Sequence, residues 1–256
     1  MSKWIRRFRQ VPGASARLVC FPHAGGSASS YLPMATAFQE RVEVLSVQYP
    51  GRQDRFGEPC AKDIDELLDA VVDALAPTLA DDRPVGLFGH SMGALVAFET
   101  ARRLEQEGQP PTVLFTSARQ GPALPLQAPG AANFEVNDAS LLEGVMALGG
   151  IESELLAHPE LLELVLPALR GDYRLLSMYQ HQPGPPLSCP LVALVGDSDP
   201  CVPVEGVRTW ERETLGPSEL HVLPGSHFYL DDQLPQVVEI ISASLLGRVQ
   251  QAHAMD

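Results

Sequence analysis

Six short, nearly continuous apolar runs recur along the chain: RLVCFP (17–22), EVLSVQ (43–48), VGLFGH (85–90), TVLFTS (112–117), PLVALVG (190–196) and ELHVLP (219–224). A strand with one wet face alternates apolar and polar residues. Runs without that alternation are strands covered on both faces, as in parallel sheets. Helical patterns separate them. The clearest spans Asp63 to Ala80, where Ile64, Leu67, Leu68, Val71, Val72, Leu75 and Leu79 form one apolar stripe, with Asp65, Glu66, Asp69 and Asp73 on the opposite side. Strands alternating with amphipathic helices predict an α/β fold with a mostly parallel, doubly wound sheet.

From Gly121 to Pro186 the alternation stops. NDASLLEGVMALGG (137–150) and HPELLELVLPALRGDYRLLSMYQ (158–180) carry leucines at helical spacing, between the Pro-Gly borders GPALPLQAPG and QPGPPLSCP. This predicts a helical insertion at 121–186, placed over one edge of the sheet as a lid, with 1–120 and 187–256 forming the core. The polar tail RVQQAHAMD is expected to fray.

A net charge of −14 excludes a non-specific nucleic-acid binder. No apolar stretch approaches the 18 or so residues of a membrane span, and no apolar segment follows the basic start MSKWIRRFRQVPG, so neither a membrane anchor nor a signal peptide is expected. The four cysteines form no CxxC pair, which argues against zinc or disulfides; reduced thiols, a cytoplasmic location and no metal are expected. Basic clusters at Arg6/Arg7/Arg9 and Arg170/Arg174 are candidate contacts for an acidic partner.

GHSMG (89–93) matches G-x-S-x-G, between the strand VGLFGH and the helix ALVAFETARRLEQEG. Strand, tight turn and helix make a nucleophile elbow, which lifts Ser91 above the sheet edge beside a helix N-terminus. A serine hydroxyl needs a base. Of seven histidines, His227 in LPGSHFYL follows the last strand, where ligand-facing groups of an open α/β sheet collect. The adjacent His90 is expected to pack, and His158, His181 and His253 to lie at the surface. The acid should fall between serine and histidine. GDSDP offers Asp197, placed to cap its own turn, and Asp199, further round the loop and preferred. Two backbone N–H groups are needed for an oxyanion. Met92 supplies one, and the loop FPHAGG the other, from Ala24 or from Gly25.

FPHAGG, QYPGR (48–52), GHSMGALVAFE, GDSDP and GSHFYL, with LPALRGDYRLL and PGPPLSCP, together resemble the type II thioesterases that accompany modular polyketide and nonribosomal peptide synthetases. The likeness covers nearly the whole chain; GSH in place of the usual GGH, at Ser226, is a small departure. The resemblance implies the α/β-hydrolase fold with a helical lid, a triad Ser91, Asp199 and His227, and oxyanion donors Met92 and Ala24. It further implies hydrolysis of stalled or aberrant acyl groups from the phosphopantetheine arm of acyl or peptidyl carrier proteins, by a monomer without a cofactor of its own. The alternatives on the same residues are a general esterase and a non-catalytic binding relative.

Overall fold

The structure, a computed structural model, describes residues 2–125, 138–149 and 159–253. Among these residues seven strands form one sheet: β1 (Ile5–Arg7), β2 (Ala16–Phe21), β3 (Val42–Val47), β4 (Val85–His90), β5 (Val113–Ser117), β6 (Leu191–Gly196) and β7 (Ser218–Leu223). Among the described residues, seven α-helices accompany them: α1 (Leu32–Ala37), α2 (Ile64–Leu75), α3 (Met92–Gln106), α4 (Asp138–Ala147), α5 (Pro159–Met178), α6 (Val204–Arg208) and α7 (Leu234–His253).

The order across the sheet is β1-β3-β2-β4-β5-β6-β7, parallel throughout except for the antiparallel β1–β3 pair. All six predicted strands are present. β1 is the addition: three residues, of which only Ile5 is buried, are too short and too basic to show a period. Every residue of β2, β3, β4, β5 and β6 is buried, which is why these strands read as continuous apolar runs. β7 lies at the edge and is half exposed.

Two apolar clusters sandwich the sheet. α2 and α3 cover one face through Leu67, Leu68, Val71, Leu95 and Phe98. α1 and α7 cover the other through Met34, Val237, Ile241 and Leu245. Asp63 starts α2 by accepting from the Glu66 N–H at 2.8 Å. The tail from Arg248, expected to fray, continues α7 as far as His253.

Within the 121–186 stretch, α4 and α5 fall in the predicted helical segments, whose ends at 137, 150 and 158 lie outside the described residues, as does His158. Leu141 and Val145 of α4 pack on Leu169 and Tyr173 of α5, and this small cluster rests on Ala24. α4 and α5 thus meet above the carboxyl end of β2.

The chain moves outward from β2 to β3, then returns to place β4 on the opposite side of β2. The crevice at the carboxyl ends of β2 and β4 is therefore the switch point of the sheet, where doubly wound folds bind ligands.

Candidate active site

Ser91 occupies that switch point. Its backbone has φ 55° and ψ −117°, a conformation costing a non-glycine residue about 1–3 kcal/mol. The turn is held by the Ser91 N–H donating to Ser117 O at 2.8 Å on neighbouring β5. Its glycines are obligatory: a Cβ on Gly89 would overlap the Gly93 carbonyl, and one on Gly93 would overlap the Phe21 carbonyl of β2.

Three loops deliver the remaining groups. His227, after β7, is buried, and its Nε2 lies 3.0 Å from Ser91 Oγ. Its Nδ1 lies 2.7 Å from Asp199 Oδ2 in the loop after β6. Asp199 Oδ1 accepts from the N–H groups of Cys201 and Val202, at 2.9 and 3.1 Å, so the carboxylate is fixed from both ends. Asp197 takes no part in this chain. It accepts from Ser198 Oγ at 2.6 Å and from the Gly225 N–H at 3.0 Å, and these bonds lower its pKa. The two aspartates of GDSDP thus divide into a turn cap and a histidine partner.

Among the described residues, the Met92 and Ala24 N–H groups donate to no protein acceptor. The Gly25 N–H is engaged, donating to Asp172 Oδ2 of α5 at 2.7 Å. Of the two sequence candidates on the FPHAGG loop, only Ala24 therefore keeps a free donor beside Ser91.

Asp172 is buried and also receives a bidentate pair from buried Arg52, at 2.6 and 2.7 Å. Arg52 donates a further bond to Gly26 O at 3.1 Å. One ion pair thereby ties α5 to Gly25 and Gly26 of the FPHAGG turn. QYPGR and LRGDYR contain these two residues, but a pair 120 positions apart leaves no local signal in the sequence.

His23 and His90 flank His227. The His90 ring centroid lies 6.1 Å from that of His23 and 5.3 Å from that of His227, with Phe228 packed against all three. His90 is buried as expected, with Nδ1 2.9 Å from Ser117 Oγ. Burial lowers the pKa of His23 to about 4 and that of His90 well below its usual value. In the unfolded chain both titrate near 6.5. As pH falls through that value, the unfolded chain takes up protons that the folded one refuses. Stability is therefore full above pH 6.5 and declines toward about pH 4, by up to about 1.4 kcal/mol per pH unit for each histidine. Thermal unfolding should show a lower midpoint at about pH 5 than at about pH 7.5, with a shallower slope in His23→Phe; a midpoint flat across that range would contradict this.

A small cavity of about 30 Å³ adjoins Ser91 and His227; Tyr173 and Leu176 of α5, Arg119 and Gln120 are among its walls. A groove of about 290 Å³ lies further out, sharing Arg119 and Leu176 with it. A concavity of about 310 Å³ between α2, α3 and α5 touches none of these groups except through the outer groove's Tyr179.

Four of the five arginines of the basic clusters are paired within the chain. Arg6 pairs with Asp54, Arg7 with Glu43 at 3.3 Å, Arg9 with Glu40 at 3.1 Å and Arg170 with Asp138. Arg174 is exposed without an ion-pair partner among the described residues. Among the described residues, no helix is long and apolar enough to cross a membrane, and no cluster of three or more potential metal ligands occurs.

A doubly wound sheet with an elbow serine at its switch point defines the α/β-hydrolase class. A family model described as Thioesterase domain matches residues 16–245. "Thioesterase PikA5" of Streptomyces venezuelae is 47% identical over 244 residues, covering 95% of this chain and 85% of that protein. "Thioesterase TesA" of Mycobacterium marinum is 36% identical, covering 91% of this chain and 92% of the relative. Among solved structures, the type II thioesterase BorB from the borrelidin biosynthetic cluster superposes with a TM-score of 0.85 at 43% identity, covering 94% of this chain and 97% of its own. YbtT, a type II thioesterase from the yersiniabactin NRPS/PKS pathway, gives a TM-score of 0.84 at 30% identity, covering 96% and 99%. The chain belongs to the thioesterase family, among its type II members.

Proposed function

We propose that this enzyme releases acyl groups from the phosphopantetheine thiol of acyl or peptidyl carrier proteins, with Ser91 as nucleophile, His227 as base and Asp199 as its partner. The supporting observation is the continuous hydrogen-bonded series Asp199–His227–Ser91 at the switch point. His227 Nε2 takes the Ser91 proton as Oγ attacks the thioester carbonyl. The Met92 and Ala24 N–H groups receive the developing oxyanion. The tetrahedral intermediate collapses with loss of the arm's thiolate, which takes the proton held by His227. Water, deprotonated by His227, then attacks the acyl-serine; the acid leaves and Ser91 recovers its proton.

Asp199 holds the imidazole tautomer with Nε2 facing Ser91 and stabilises the imidazolium. Serine, imidazole and backbone donors suffice for this chemistry, so no resident cofactor is required. The insertion at 121–186 roofs the acyl cavity with Tyr173 and Leu176 and limits access of water. We place the enzyme in the cytoplasm as a monomer acting in trans on synthetase modules, clearing stalled or aberrant chains. Since most of its clustered arginines are internally paired, docking would depend on local contacts such as exposed Arg174 rather than on long-range attraction.

The test compares a propionyl group carried on a holo-carrier protein with the same group as a small aryl ester. The carrier-bound thioester should have the higher kcat/KM, by about tenfold or more. Equal or better hydrolysis of the aryl ester would favour a general esterase.

A further inference from the structure

Arg119 follows β5 and is 6% exposed. Among the described residues its guanidinium makes no ion pair and no hydrogen bond, and burial lowers its pKa to about 10, opposed only by Tyr179. Its nitrogens are unpartnered but not sealed, since they keep accessible surface. A buried guanidinium normally has its donors satisfied, because leaving them empty forfeits their hydration. With a pKa of about 10 the group is nevertheless a cation at neutral pH.

Its position is enforced. Ala118 before it has φ 49°, a left-handed conformation that alanine avoids, and Trp210 Nε1 donates to Arg119 O at 2.7 Å. Arg119 lines both the small cavity beside Ser91 and His227 and the outer groove. Among the described residues, no aspartate or glutamate lines either space. The buried carboxylates of the site are committed elsewhere. Asp199 holds His227 and the Cys201 and Val202 N–H groups, and Asp172 holds Arg52 and the Gly25 N–H. The acyl cavity therefore has a positive charge in its wall that no carboxylate balances.

A charge in a low-dielectric wall acts over several ångströms and needs no hydrogen bond to do so. The carbon next to the thioester carbonyl is bonded to the reacting atom, so whatever it bears enters the cavity adjoining Ser91. An ammonium there meets a like charge and no counter-ion. A carbonyl or carboxylate oxygen meets a donor that has no other acceptor.

We infer that Arg119 sets the charge selectivity of the acyl site: it excludes acyl groups with an ammonium beside the thioester, the α-aminoacyl class, and favours those with an acceptor oxygen there. The inference rests on the proposed thioester hydrolysis and narrows its substrates. Among carrier-bound acyl groups, it turns the enzyme away from amino acids that still have a free amine.

The test uses three N-acetylcysteamine thioesters that differ in one substituent on that carbon: alanyl, isobutyryl and methylmalonyl, with an ammonium, a methyl and a carboxylate. At about pH 6 the amine is protonated. Wild type should then have a lower kcat/KM on alanyl than on isobutyryl, by about tenfold or more. In Arg119→Met the alanyl-to-isobutyryl ratio should rise and the methylmalonyl-to-isobutyryl ratio should fall, each by about tenfold to a hundredfold. Arg119→Gln is also neutral; it should shift both ratios the same way, and it serves if the Met variant does not fold. Arg119→Lys keeps a charge without the planar fork, and should fall between wild type and the neutral variants. Phosphonate labelling of Ser91 verifies an assembled triad in each variant. A wild type that prefers alanyl would overturn the inference, as would either ratio unchanged in the neutral variants, or both moving in one direction. Equal losses on all three thioesters would overturn it too, and would assign the guanidinium to the thiol arm. Wild-type protein inactive on all three, and on the propionyl carrier thioester above, would overturn the underlying function, and the inference with it.

Discussion

Ser91→Ala should lower kcat for thioester hydrolysis by about ten-thousand-fold or more and abolish phosphonate labelling, while the unfolding midpoint stays near wild type. The hydroxyl is the only group lost, since alanine keeps the Cβ and its strained backbone at φ 55°. Ser91→Gly separates catalysis from stability. It loses hydrolysis equally, but it relieves a conformation costing about 1–3 kcal/mol against the roughly 0.5–1 kcal/mol entropic penalty of a glycine. Its midpoint should therefore equal or exceed that of wild type. A protein that is inactive and clearly destabilised as Ser91→Gly would show that the elbow stores no strain. Residual labelling of Ser91→Ala would move the nucleophile elsewhere.

The second large effect is expected away from the reacting atoms. Asp172→Ala strands the buried Arg52 guanidinium, and breaking such a pair costs about 3–5 kcal/mol. It also frees the Gly25 N–H and releases α5 from the FPHAGG turn, so the Ala24 donor loses its fixed position. Both kcat and the unfolding midpoint should fall. The double replacement Arg52→Met with Asp172→Leu removes both charges together, and should recover much of the lost stability. Activity should recover less, because the apolar pair cannot hold Gly25. Additive losses in the double variant, measured by denaturant unfolding, would exclude the coupling.

The parts of this protein that were legible in advance share a physical basis: each is encoded locally. The covered strands read as continuous apolar runs because both of their faces are buried, and α2 reads as a stripe because only one of its faces is. GHSMG is legible because a tight strand-to-helix turn needs glycines on both sides of Ser91, and backbone overlap at Gly89 and Gly93 supplies the reason. β1 was not legible. Its three residues owe their strand conformation to antiparallel pairing with β3, Ile5 opposite Val47, a contact made far along the chain. The paired state of Arg6, Arg9 and Arg170 was hidden for the same reason, since a basic cluster in sequence says nothing of the carboxylates that meet it in space.

The sequence alone determined the α/β class, the approximate strand set and the chain order of a serine, an acid and a histidine, because composition, periodicity and turn chemistry act over a few residues. Tertiary structure decided which aspartate meets His227 and which N–H of FPHAGG stays free. It also decided that Arg52 and Asp172 join α5 to the FPHAGG loop, and that Arg119 has no ion-pair partner among the described residues. Each of these depends on which loops converge at the switch point between β2 and β4, and that convergence is a property of the strand order rather than of any segment read by itself.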